Sequence, residues 1–191
     1  MTLGELAIVL GITGTMSAIA LPLLSGLDDA RVAGAARYMS SRLADARLEA
    51  IGRSRKVALR FTQTGGTYSF STYVDGNGNG VLAQDIARGV DRLIAGPEKL
   101  TDNFRNVDFG AQPGVPPIDS GSSPSGDPIR LGVSNSVSFN PLGTSTTGTI
   151  YITGRSGAQY AVRVIGTTGR VRIYRFSKGD GKWLPMTGGF G

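Results

Sequence analysis

The sequence predicts an α+β fold: one long N-terminal helix, its first half embedded in a membrane, packed on an antiparallel β-sheet head. Three observations carry this expectation. No charged residue occurs from Leu6 to Leu27. Apolar residues then recur at helical spacing as far as Ala50. Beyond Arg55 the apolar period becomes two.

The first element is the uncharged run LAIVLGITGTMSAIALPLLSGL. At ~1.5 Å rise per residue, a helix of this length spans a ~30 Å hydrocarbon core. A secretory signal peptide would place Lys or Arg ahead of the run, whereas the early charge here is Glu5. The second element follows without a linker. Val32, Ala36, Met39, Leu43, Ala46 and Ala50 form one apolar stripe, while Arg31, Arg37, Arg42, Asp45, Arg47 and Glu49 take the other faces. Gly34 interrupts the pattern at a cost of about 1 kcal/mol relative to Ala. One helix is therefore expected from about residue 2 to about residue 53, with Pro22 kinking or locally opening it. This divides the chain into a transmembrane and polymerisation helix (1–27), an amphipathic continuation that packs on the head (28–55), and the β-rich head itself (56–191).

In the head, KVALRF, TYSFSTYV, SVSFN, GTIYIT, AQYAVRVI and GRVRIYRF are β-branched or aromatic runs bounded by Gly, Asn, Ser and Thr. Gly65-Gly66, Arg155-Ser156-Gly157 and Thr167-Thr168-Gly169 have the composition of hairpin connections. Residues 111–128 are rich in Pro, Gly and Ser and are expected to form a long exposed loop. No internal repeat is evident.

Composition narrows the function. The chain has no Cys and no His, which removes disulfides, thiolate nucleophiles, Cys/His zinc sites and imidazole acid–base chemistry. No nucleophile elbow or clustered carboxylate pattern replaces them, so no catalytic residue is nominated and an enzyme is not expected. Gly accounts for 29 of 191 residues, about twice the usual ~7% share, which suits a turn-rich β protein or a weakly charged assembly subunit. The net charge of +6 is uneven. Residues 151–191 hold Arg155, Arg163, Arg170, Arg172, Arg175, Lys178 and Lys182 against Asp180 alone, and the rest of the chain is neutral. Such asymmetry marks either an anionic partner or a solvated β face.

The N-terminus carries the sharpest chemistry. Glu5 precedes an uncharged span, and an acidic residue at the centre of a membrane helix costs about 2.5–3.5 kcal/mol, less near an end. No Lys or Arg lies within reach on this helix, so the nearest positive group is the α-amino group of Met1. In a bundle of parallel, axially staggered copies, Glu5 of one copy can pair with Met1 of the next, making burial tolerable only on assembly. The alternative is Glu5 near the headgroups, or acting as an N-terminal charge favourable to the helix dipole.

Met1–Pro22 resembles the mature N-terminus of type IV pilins and type II secretion pseudopilins, through Thr2, Leu3, Glu5, the apolar run and Pro22. Gly4 departs from it, standing where that family usually has Ile or Val. The resemblance implies cleavage of a leader by a prepilin peptidase, leaving Met1 as an N-methylated first residue. It also implies that Glu5 neutralises a neighbour's N-terminus and that the stretch from Gly14 to Pro22 unwinds in the filament. It places the chain first in the bacterial inner membrane, then in a periplasmic pseudopilus or extracellular pilus built with copies of itself or other pilin-like subunits. In the head, SSRLADARLEAIGRSRKVALRF, SVSFNPLGTSTTGTIYIT and AVRVIGTTGRVRIYRFSKGDGKW resemble the GspH/FimT-type branch.

Two further sites are nominated. Asp75, Asn77 and Asn79 place oxygen ligands at positions 1, 3 and 5 of a calcium-loop pattern, with Gly80 at position 6. Val81 adds a carbonyl and Asp85 a carboxylate, but Ile86 stands where an EF-hand needs Glu. The alternative is a tight turn of residues that tolerate positive φ. No cofactor is required, and a calcium ion is the one candidate. Lastly, Gly169-Arg170-Val171-Arg172 resembles the DNA-binding GRxR tail of FimT-type minor pilins. On a strand, Arg170 and Arg172 project to one side with Tyr174, and Arg163 or Arg175 could enlarge the patch. DNA is therefore the alternative partner.

Overall fold

Helix α1 (Leu3–Arg53) opens on a capping box. The Thr2 hydroxyl accepts the Glu5 N–H at 3.4 Å, and the Glu5 carboxylate accepts the Thr2 N–H at 2.8 Å. It closes at Ser54, whose φ of 52° turns the chain out of the helix. The computed structural model describes residues 2–186, without the side chains of residue 3 and residues 14–25.

The two halves of α1 meet different surroundings. Leu6, Ile8, Val9, Leu10 and Ile12 are all more than half exposed. Among the described residues the first buried one is Asp28, and beyond it Val32, Ala36, Met39, Leu43, Ala46 and Ala50 are buried along one stripe. Small residues on that stripe let the helix backbone come close to the sheet. Tyr38 and Arg42 also bond Glu98 beside it. Among the described residues no helix is long and apolar enough to cross a membrane. The expected span includes residues 14–25, and the nominated Gly14 and Pro22 lie among these undescribed side chains. Met1 also lies outside the described residues. The helical backbone is continuous through Pro22.

Ten strands follow: β1 (Val57–Thr64), β2 (Thr67–Val74), β3 (Arg92–Glu98), β4 (Val107–Phe109), β5 (Ile129–Arg130), β6 (Ser136–Phe139), β7 (Gly148–Gly154), β8 (Gln159–Ile165), β9 (Arg170–Ser177) and β10 (Lys182–Pro185). Two short helices, α2 (Ala83–Ala87) and α3 (Leu100–Asn103), flank β3. One antiparallel sheet has the order β3-β2-β1-β6, and the other β10-β9-β8-β7-β4, with β5 also on β7. The core lies between these sheets and the second half of α1. Phe61, Phe70 and Tyr68 gather around Phe109, and the Phe61 and Phe109 rings meet edge-to-face at 5.4 Å.

Every run read as a strand is one, and the three hairpin connections fall where their composition indicated. The sequence reading missed β3, β4, β5 and β10. β3 contains Gly96-Pro97 and joins β2 with register shifts. β4 and β5 are too short to show a period. These strands exist because a longer partner offers them an edge.

Residues 111–128 contain no strand or helix, as expected, but they are only partly exposed. The Ile118 N–H donates to the Tyr151 hydroxyl at 2.9 Å, and the Trp183 indole N–H donates to the Pro116 carbonyl at 2.8 Å. Asp119 accepts the Thr149 hydroxyl and pairs with Arg163. The loop is thus a strap fastened to one face of the larger sheet.

Candidate assembly helix and head surfaces

Glu5 stands in the first turn of α1, with exposed apolar residues directly after it. Its carboxylate closes on the Thr2 amide, an arrangement that satisfies one of the orphan donors at the helix start and suits the helix dipole. The acid is therefore held at the tip of the apolar rod rather than on the head.

On the head, β9 alternates. Ile173 is buried, while Arg170 and Arg172 are exposed on the other face. Arg163 lies opposite Arg172 in the β8–β9 register, so it does extend the row, although Asp119 partly neutralises it. Arg175 does not extend it. Three residues from Arg172, it points to the opposite face and pairs with Asp29 of α1 at 3.2 Å. Arg170 and Arg172 form no ion pair among the described residues.

The Asp75 loop is closed by its own amides. The Asp75 carboxylate accepts backbone N–H groups of Asn77, Gly78 and Gly80 at 3.1, 2.7 and 2.7 Å. Asp85 accepts the side-chain amides of Asn77 and Asn79. Asp91, which sequence reasoning did not nominate, accepts the N–H groups of Gly76 and Leu82 at 3.0 and 2.8 Å. The three carboxylates are buried. Gly76 is required here, since a Cβ would fall 1.9 Å from the Val90 carbonyl oxygen. Asp75, Asn77, Asn79 and Asp85 are joined by hydrogen bonds within one loop, to which Val81 contributes none. Among the described residues no cluster of three acids could hold a metal ion. In this structure the Asp75 and Asp85 carboxylates are satisfied by backbone and side-chain amides of the same loop.

A long helix that starts on exposed apolar residues and packs its second half on an antiparallel head defines a pilin-like structural subunit. The family model described as type II transport protein GspH matches residues 35–169, and the chain belongs to that family. It is also similar to the pilin-like protein PilA1 of Thermus thermophilus, at 44% identity over 84 residues, covering 41% of this chain and 49% of the relative. The match thus spans about half the length of that relative. No solved structure matches the chain.

Proposed function

We propose that the chain is a structural subunit of a type IV pilus or type II secretion-like pseudopilus that polymerises through α1. The observation that carries the proposal is the exposed row of Leu6, Ile8, Val9, Leu10 and Ile12 behind Glu5, which no part of the head covers. Such a row is stable only against lipid or against other helices. In this reading the subunit waits in the inner membrane after a prepilin peptidase has exposed Met1, which is then N-methylated. On assembly, Glu5 leaves the Thr2 amide for the N-terminal amine of a neighbour. The unwinding expected between Gly14 and Pro22 accommodates helical packing in the filament. No catalytic role is assigned.

The test is filament yield. Glu5→Ala should abolish filaments seen by negative-stain electron microscopy while the far-ultraviolet circular dichroism of the head persists. Filaments formed by Glu5→Ala at the original yield would refute the proposal.

A second reading, duplex DNA binding for uptake, is favoured by the exposed and unpaired Arg170 and Arg172 beside Arg163. Guanidinium–phosphate contacts of this kind weaken steeply with salt. The double variant Arg170→Gln with Arg172→Gln should abolish gel retardation of duplex DNA at low salt without unfolding the head. Unchanged retardation rules this reading out.

A further inference from the structure

We propose that the end of the head from which α1 emerges is a docking surface for anionic phospholipid headgroups, with Arg175 and Lys178 in its groove and Arg155 and Lys182 on its rim. The inference rests on the reading that residues 6–27 sit in a bilayer, and it adds a role for the head in that state.

The position of this surface follows from one contact. Asp28 is the first residue after the apolar run, and its carboxylate accepts the Ser156 N–H at 2.9 Å as well as the Ser156 hydroxyl. The β7–β8 turn is therefore fastened where α1 leaves the apolar run. The β9–β10 turn lies at the same end, because Lys182 pairs with Ser177 and Arg175 with Tyr160. A headgroup potential persists for only ~8–10 Å at physiological salt, so cations must stand this close to the helix exit to feel it.

A groove of about 460 Å³ opens there, lined by Gly26, Asp29, Ser156, Arg175, Lys178 and Leu184 among others. Lys178 folds over Gly157, where φ is +82° and an added Cβ would come within 2.8 Å of the Lys178 Nζ. The missing side chain at residue 157 leaves room for the ammonium in the groove. The acids at this end are already engaged. Asp28 holds Ser156, Asp29 holds Arg175 and the Tyr160 hydroxyl at 3.2 Å, and Asp180 accepts the Ser177 hydroxyl at 2.7 Å. Arg155, Lys178 and Lys182 are exposed and form no ion pair among the described residues. Leu184 is 48% exposed and Leu27 is 54% exposed. Apolar side chains next to free cations are poorly served by water, but they match the boundary between acyl chains and phosphates.

The basic segment 151–191 thus divides in space. Arg163, Arg170 and Arg172 occupy the far part of β8 and β9, whereas Arg155, Arg175, Lys178 and Lys182 face the helix exit.

The test uses the full chain reconstituted into phosphatidylcholine vesicles with and without phosphatidylglycerol, each containing headgroup-spin-labelled phosphatidylcholine. Trp183, the single tryptophan, reports proximity to the headgroups through its quenching. Quenching should rise with phosphatidylglycerol. In the double variant Lys178→Gln with Lys182→Gln the preference for that lipid should fall by roughly five-fold per cation, about 25-fold in all, so that most of the added quenching is lost. The Arg170→Gln, Arg172→Gln variant, altered at the other end, should keep the lipid dependence. If it loses that dependence equally, net charge and not this surface is responsible, and the proposal falls. Flotation with the vesicles separates insertion of the helix from docking of the head. A chain that floats with both lipids but shows quenching independent of phosphatidylglycerol overturns the headgroup surface and leaves insertion standing. A chain that floats with neither overturns insertion, and the docking surface with it.

Discussion

Tyr160 is 2% exposed, and its hydroxyl donates to Asp29 while Arg175 approaches the same carboxylate. Burial, and then the charge of Asp29, push its phenol up to about 12. The folded state therefore holds this proton more tightly than the unfolded chain, whose tyrosines titrate near ~10. The resulting stability is complete below pH ~10 and is lost as pH rises through ~12. Tyr160→Phe removes this dependence. Urea denaturation should show the wild-type advantage over Tyr160→Phe shrinking by on the order of 1–2 kcal/mol between pH ~10 and ~12. A constant difference across that window would contradict the assignment. Asp75 and Asp91 work differently, since they accept backbone N–H groups whose burial would otherwise be costly. The loop could be nominated from its Asp-Gly-Asn-Gly-Asn-Gly spacing. The part played by Asp91 could not, because it arrives from beyond α2 and nothing local marks it.

At the scale of elements, α1 is one helix whose described start is exposed and whose second half is buried on the head. The 4-3-4-3-4 stripe was legible because helical periodicity needs only residue types, and Leu43 is fully buried where the stripe places it. Leu48, off the stripe, is 66% exposed. Leu43→Ala should therefore cost about 2–5 kcal/mol, while Leu48→Ala should stay within about 0.5 kcal/mol. Chemical denaturation of the two variants, followed by Trp183 fluorescence, checks this contrast. Comparable losses would mean that the buried face had been misplaced. The strap of residues 111–128 shows the opposite case. Its Pro, Gly and Ser content announced a loop, but its attachment depends on Tyr151, Trp183 and Arg163 from three separate strands.

At the scale of the whole molecule, the head and the apolar half of α1 are separable in their physics. Among the described residues, every core residue lies at or beyond Val32. A chain beginning at residue 28 should keep the β-sheet circular dichroism of the full chain and sediment as a monomer without detergent, whereas the full chain should require detergent or associate. A truncated chain that unfolds, or a full chain that stays monomeric in plain buffer, would count against the division of labour. The family match, residues 35–169, covers most of the packed half of α1 and the head through the β8–β9 turn.

Residue order alone determined the helix and its amphipathic stripe, six of the ten strands, three hairpin turns and the acid at the tip of an apolar rod. All of these are local patterns, set by periodicity, turn chemistry and the position of a lone acid before an uncharged run. Tertiary structure decided which strand edges recruited β3, β4, β5 and β10. It also separated Arg175 from Arg172, turned the 111–128 loop into a strap, and gathered Lys178, Arg155 and Lys182 around the helix exit. Those outcomes depend on strand register and on contacts between residues far apart in the chain, and neither leaves a periodic trace in the sequence.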